Sequence, residues 1–182
     1  MANEIDRVKI WNSYLCEAHK FASKLKNSND LDCMELKGGT LLLEEHYSLM
    51  TILHLALAIE ARTNHLLFEL KEKGTINIDL RESVEYLNGK RKWAILPRIA
   101  GKETIIDFDT MPHKSIKEIY KYRDRFVHVL YSKEDFIEKI PDKSETIGLY
   151  NNFIEAMWNL NEILGRVESN ESGLSAMKRL KV

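Results

Sequence analysis

The sequence predicts an all-α fold, a bundle of four to five helices with short accessory helices. Three observations carry this expectation. Eight glycines and three prolines in 182 residues leave little turn chemistry for a many-stranded fold. Apolar residues recur at three- and four-residue spacing along most of the chain. The stretch 40–73 contains neither glycine nor proline.

Ile5, Val8, Trp11, Leu15, Ala18, Ala22 and Leu25 form one stripe, which predicts an amphipathic helix over 4–26. The polar run 27–30 and Gly38-Gly39 break the pattern, so 27–39 reads as a loop. The longest helix is expected over 40–73, stopped by Gly74. Between Leu49 and Leu67 it is apolar on most sides, the mark of a central helix. Short helices follow over 79–87, with Asp79 as N-cap, and over 91–99, interrupted by Pro97. A loop over 101–113 carries the turn residues Asp109, Thr110, Met111 and Pro112. A helix is expected over 115–132, opened by Ser115 and Glu118 in capping-box spacing. The last long helix spans 144–168, with Ile147, Tyr150, Ile154, Met157, Trp158, Ile163 and Leu164 facing the core. The polar tail 169–182 is expected to fray. One domain, 1–182, accounts for the whole chain, with its core over about 40–168.

The net charge of −1 gives no global basic field for nucleic acid, although a local contact stays open. Cys16 and Cys33 have neither CxxC nor zinc-ligand spacing, so reduced, buried or incidental thiols are expected. No apolar stretch has the length of a membrane span, and the charged N-terminus has no secretory character. A cytoplasmic protein is expected, with no membrane partner.

The segment with the most chemistry is Arg123-Asp124-Arg125-Phe126-Val127-His128. On a helical wheel, Arg123 falls within the stripe of Ile116, Ile119, Tyr120, Val127 and Leu130. A guanidinium there must be paired or line a cleft, because burying it bare costs several kcal/mol. Asp124 and His128 are four apart and neighbours on a second face, which Lys117 and Tyr131 share. The carboxylate could orient the imidazole and raise its pKa. Arg123 and His128 lie roughly 140° apart on an ideal helix. A shared site therefore requires a bend or a second copy of the chain.

The stretch 119–131, IYKYRDRFVHVLY, resembles the signature of the HEPN superfamily: an Arg, a polar residue, three further residues and a His on a late helix of a small α-bundle. The match covers Arg123, Asp124 and His128, with Asp where the family often has Asn or His. The stretch 55–74 is similar to the family's long helix, with Glu60 and Asn64 on one face. The resemblance implies an HEPN-like bundle and metal-independent RNA cleavage at a homodimer interface. His128 would act as general acid or base, Arg123 would bind the phosphate, and Asp124 would orient. Glu60, Asn64, Lys117 and Tyr131 would support the site or touch the ligand. No cofactor and no metal are implied. A toxin or phage-defence role follows from the resemblance, with a nucleotidyltransferase-type antitoxin as partner. The alternative is a catalytically silent HEPN-like module that binds a nucleotide or a protein.

Other groups carry less. His46, His54 and His65 on the long helix lack HExxH spacing and read as core or rim histidines. Glu60 and Asn64 serve equally well as partners of Arg123 or as a polar bridge between helices. Lys90-Arg91-Lys92-Trp93 and Lys114, Lys117 and Lys121 are local basic groups, read first as solvated surface and second as an RNA-backbone contact.

Overall fold

A computed structural model describes residues 4–29, 32–36, 39–75, 84, 86–127, 140–166 and 180. The expectations for the helix over 79–87, for His128 and Tyr131, and for the tail 169–182 lie on residues outside this set, apart from Val84, Tyr86, Leu87 and Leu180. Among the described residues the fold is an all-α bundle. Its elements are α1 (Glu4–Asn27), β1 (Cys33–Leu36), β2 (Gly39–Leu42), α2 (Leu43–Glu72), α3 (Gly89–Ile99), α4 (Lys114–Val127) and α5 (Lys143–Ile163).

The helix α1 buries Trp11, Leu15, Ala18, Ala22 and Leu25 completely, one residue per turn along its length. That stripe lies mainly on α2, which also packs against α3, α4 and α5. A helix touched on several sides cannot be amphipathic in the simple sense. Accordingly α2 buries the stripe Ser48, Ile52, Leu55, Ile59, Arg62 and Leu66, widened by Ala56 and Thr63 on one flank and by Ala58 and His65 on the other. Its end is the expected one. Gly74 takes a left-handed φ of 70°, and the N–H groups of Gly74 and Thr75 turn back onto the carbonyls of Lys71 and Leu70.

The segment 27–39 is not a simple loop. Cys33–Leu36 pairs antiparallel with Gly39–Leu42, with Cys33 opposite Leu42 and Leu36 opposite Gly39. This hairpin takes Thr40, Leu41 and Leu42, so α2 begins at Leu43 rather than at residue 40. Three leucines in a row suit either structure, and the cross-strand partner decides. The Glu45 carboxylate then caps the start of α2 by accepting the Leu42 N–H at 3.1 Å.

Pro97 does not interrupt α3. It sits in the last turn, where the helix continues to Ile99 and closes on Gly101. Asn88 caps the start, its side chain accepting the Arg91 N–H at 3.0 Å. The capping box at Ser115 is absent: its buried hydroxyl donates to the Pro112 carbonyl at 2.6 Å, and Glu118 pairs with Lys121. The cap of α5 is Asp142, whose carboxylate accepts the Glu145 N–H at 2.8 Å. The face that α5 buries is wider than expected. Leu149, Phe153, Ala156 and Leu160 join Ile147, Tyr150, Ile154 and Met157, because α5 meets α1, α2 and α4. Cys16 and Cys33 are exposed, unpaired thiols, not buried ones. No described helix is long and apolar enough to cross a membrane.

Candidate functional site

The helix α4 packs on α2 and α5 through Ser115, Ile116, Ile119, Tyr120 and Tyr122. Burial ends there. Arg125 and Val127 are exposed, and the Arg123 side chain is 39% exposed. Arg123 is therefore not in the buried core, as the helical wheel suggested, but at the rim where the packed face gives out. Its guanidinium donates to Asp124 at 2.8 Å and stands 6.0 Å from the centre of the Tyr120 ring. Arg123 makes no direct bond to Glu60 among the described contacts, because Tyr120 stands between them. The Tyr120 hydroxyl donates to Glu60 Oε1 at 2.8 Å.

Glu60 gathers three donors from two other helices. Besides Tyr120, it accepts the Gly89 N–H at 2.6 Å, and the Lys92 ammonium lies 3.9 Å from its second oxygen. Lys92 also donates to the Asn64 side chain at 2.7 Å. Glu60 and Asn64, one turn apart on α2, thus bind the first turn of α3, and Glu60 also binds the middle of α4. The Lys92 side chain is only 7% exposed, so its charge depends on these two acceptors.

Gly89 is required by this arrangement. A Cβ at that position would run into the Tyr120 hydroxyl and press on the Glu60 carboxyl. The bare backbone lets three elements converge on one carboxylate. Burial, together with the charge and hydrogen bond of Glu60, pushes the Tyr120 phenol well above the ordinary tyrosine value, against a smaller opposing effect of Arg123. Tyr120 is therefore a permanent donor. Tyr122 repeats the device toward α5, donating to Glu145 at 2.6 Å, and its phenol is likewise raised by burial and by Glu145.

Of the residues singled out from the sequence, Glu60, Asn64, Arg123 and Asp124 fall in one neighbourhood. Lys117 is tied elsewhere: it is exposed and bonds the Asp109 carboxylate at 2.6 Å. The sequence reading missed Gly89 and the roles of Lys92 and Tyr120. Lys92 precedes Trp93 and lies one turn before Leu96 on the buried side of α3, a spacing that could have flagged it.

A second polar cluster lies inside the bundle. Arg62, fully buried, donates to Asn161 at 2.9 Å, meets His65 Nδ1 at 3.3 Å, and stands 4.6 Å from the Trp11 ring centre. His65 Nε2 lies 3.1 Å from Glu69, which takes both guanidinium nitrogens of Arg166. Burial acts to raise the Glu69 carboxyl, but Arg166, with His65 and Arg62 beyond it, outweighs this and holds it below its ordinary value. These residues join α1, α2 and α5.

His113 is also enclosed. Its Nδ1 accepts from the Trp93 indole N–H at 3.3 Å, so the proton sits on Nε2, which donates to Asn159 at 2.7 Å. Burial lowers its pKa, against smaller opposing effects of Asn159 and Asp107.

No known protein family, no curated protein and no solved structure matches the chain.

Proposed function

We propose that this chain is a metal-independent endoribonuclease of the HEPN type that works as a homodimer. The observation that carries the reading is the setting of Arg123. It is a half-exposed guanidinium at the rim of α4, held by Asp124 and seated beside a Tyr120–Glu60 pair that fixes α4 on α2. A guanidinium so placed can meet a phosphate in a bidentate way and still be fixed in direction.

In this mechanism Arg123 binds the scissile phosphate and stabilises the charge that builds on its oxygens. His128 takes the proton from the ribose 2′-hydroxyl, whose oxygen attacks phosphorus. The bond from phosphorus to the 5′-oxygen breaks, and that oxygen leaves with a proton taken from water. The products are a 2′,3′-cyclic phosphate and a 5′-hydroxyl end. Five residues on an ideal helix separate Arg123 and His128 by roughly 140°, and in the proposed homodimer His128 of one chain meets Arg123 of the other. The same reading gives the protein a cytoplasmic role as a toxin or phage-defence component, restrained by a nucleotidyltransferase-type antitoxin.

The test is cleavage of end-labelled RNA in EDTA by wild type, Arg123→Ala and His128→Ala. Wild type is expected to leave 2′,3′-cyclic ends, and loss of His128 is expected to slow cutting by roughly 10²–10⁴-fold. Inert wild-type protein, or a His128→Ala variant that cuts as well, overturns the reading.

The Arg123–Asp124 pair favours a second reading, because the guanidinium charge is already answered within the chain. This is a catalytically silent module that binds a nucleotide or a protein. It predicts no cleavage and a melting temperature that rises with ligand.

A further inference from the structure

We infer that the outer face of α3 is a docking stripe for the backbone of single-stranded RNA, distinct from the Arg123 site. This inference rests on the ribonuclease reading for the identity of its partner. The observations are local to 89–102. That segment holds Lys90, Arg91, Lys92, Arg98 and Lys102 and not one Asp or Glu, in a chain whose net charge is −1.

Lys92 turns inward to Glu60 and Asn64, as described above. Arg91 and Arg98 turn outward, and both are exposed. Seven residues apart, they share one face about 10.5 Å apart along the axis. Exposed Lys102 follows just past the helix end, its ammonium lying near Gly165. None of these three has a carboxylate partner among the described residues. The contrast with α4 is plain. There Lys117 is bound by Asp109, Lys121 by Glu118 and Arg123 by Asp124. Three of the five α4 cations thus meet a carboxylate, whereas neither Arg91 nor Arg98 does among the described residues.

Helix stability does not explain the pattern. Cations in a last turn complement the helix dipole, which covers Arg98. Lys90 and Arg91 sit in the first turn, where positive charge opposes the dipole and where α3 has no acidic residue. A bound anion answers both. Two of the three outward cations are arginines, the side chain suited to planar phosphate recognition. The first turn of α3 is bonded through Glu60 to Tyr120, the ring beside Arg123.

The test uses the full chain and a fluorescent 2′-O-methyl oligonucleotide, which binds as RNA but has no hydroxyl to attack phosphorus. Binding is measured by anisotropy across a salt series for wild type, Arg91→Gln/Arg98→Gln, and Lys20→Gln/Lys26→Gln. The last pair removes the same charge from exposed positions on α1. Each lost phosphate contact lowers the salt slope by about 0.7, so the α3 variant is expected to lose about 1.4 from the slope and several-fold in affinity. The α1 variant is expected to behave like wild type. Thermal melts check that all three proteins are folded. If folded Arg91→Gln/Arg98→Gln binds with the wild-type slope, or both variants weaken alike, the stripe is overturned while the ribonuclease reading stands. If the α3 variant alone loses slope but wild type never cuts ordinary RNA, the stripe stands and the ribonuclease reading falls. Wild type that does not bind the oligonucleotide overturns the stripe.

Discussion

Substituting Gly89 by alanine adds one methyl group at the point where α2, α3 and α4 converge. Ordinarily alanine in a helix gains up to about 1 kcal/mol over glycine. Here the new Cβ collides with the Tyr120 hydroxyl and crowds the Glu60 carboxyl. Relieving the clash separates Tyr120 from Glu60, a hydrogen bond to a charged acceptor worth about 1.5–3 kcal/mol. Forcing the methyl into a packed site costs a further 1–3 kcal/mol or so. Net destabilisation of about 2–4 kcal/mol is expected. For a chain of this size that lowers Tm by roughly 5–15 °C. Calorimetry or urea unfolding reads the effect, and a double-mutant cycle with Tyr120→Phe identifies its cause. Without the hydroxyl the methyl has room, so the cost of Gly89→Ala is expected to shrink by at least about 1 kcal/mol in the Phe background. A Gly89→Ala protein as stable as wild type, or costs that simply add, refutes the argument.

Three further outcomes follow from the same geometry. The folded pKa values of His19, His46 and His113 lie below 6.5, in each case chiefly through burial, so below pH 6.5 the unfolded chain binds more protons than the native one. Tm is therefore expected to fall as pH drops from 7.5 through 6.5 to 5.5, with a shallower slope in His113→Gln; a flat profile contradicts this. The Tyr120, Tyr122 and Tyr150 phenols are raised, so native stability declines above pH 10, and absorbance titration at alkaline pH should show these tyrosines ionising only on unfolding. Arg62→Ala leaves Asn161 and His65 without the guanidinium and opens a void against Trp11, with an expected cost of about 3–5 kcal/mol in urea unfolding; a cost under about 1 kcal/mol would mean the cluster adds nothing.

Where burial follows from one helix face, the sequence was readable. Trp11, Leu15, Ala18, Ala22 and Leu25 announce the buried side of α1 by spacing alone, and Gly74 announces the end of α2. The hairpin over Cys33–Leu42 was hidden because its strands are four residues each, too short for a period of two to stand out. Thr40, Leu41 and Leu42 carry the same apolar character as the helix they precede. Arg123 was read as buried because a wheel assumes that packing runs the length of a helix, whereas α4 loses its cover after Tyr122. Glu60 and Asn64 stood out as polar residues in an apolar stretch. Their partner Lys92 did not, since its burial depends on acceptors 28 and 32 positions earlier in the chain.

Convergence on Glu60 has an asymmetric consequence. The carboxylate has spare capacity: taking away the Tyr120 hydroxyl still leaves it the Gly89 N–H and the nearby Lys92 ammonium. The donors lack that redundancy, for Tyr120 has no other acceptor described, and Lys92 would keep Asn64 alone. Variation is therefore tolerated one donor at a time, while losing the acceptor would release three attachments together. A single oxygen-bearing side chain on α2 thus acts as a common anchor, through which a disturbance in α3 is felt in α4.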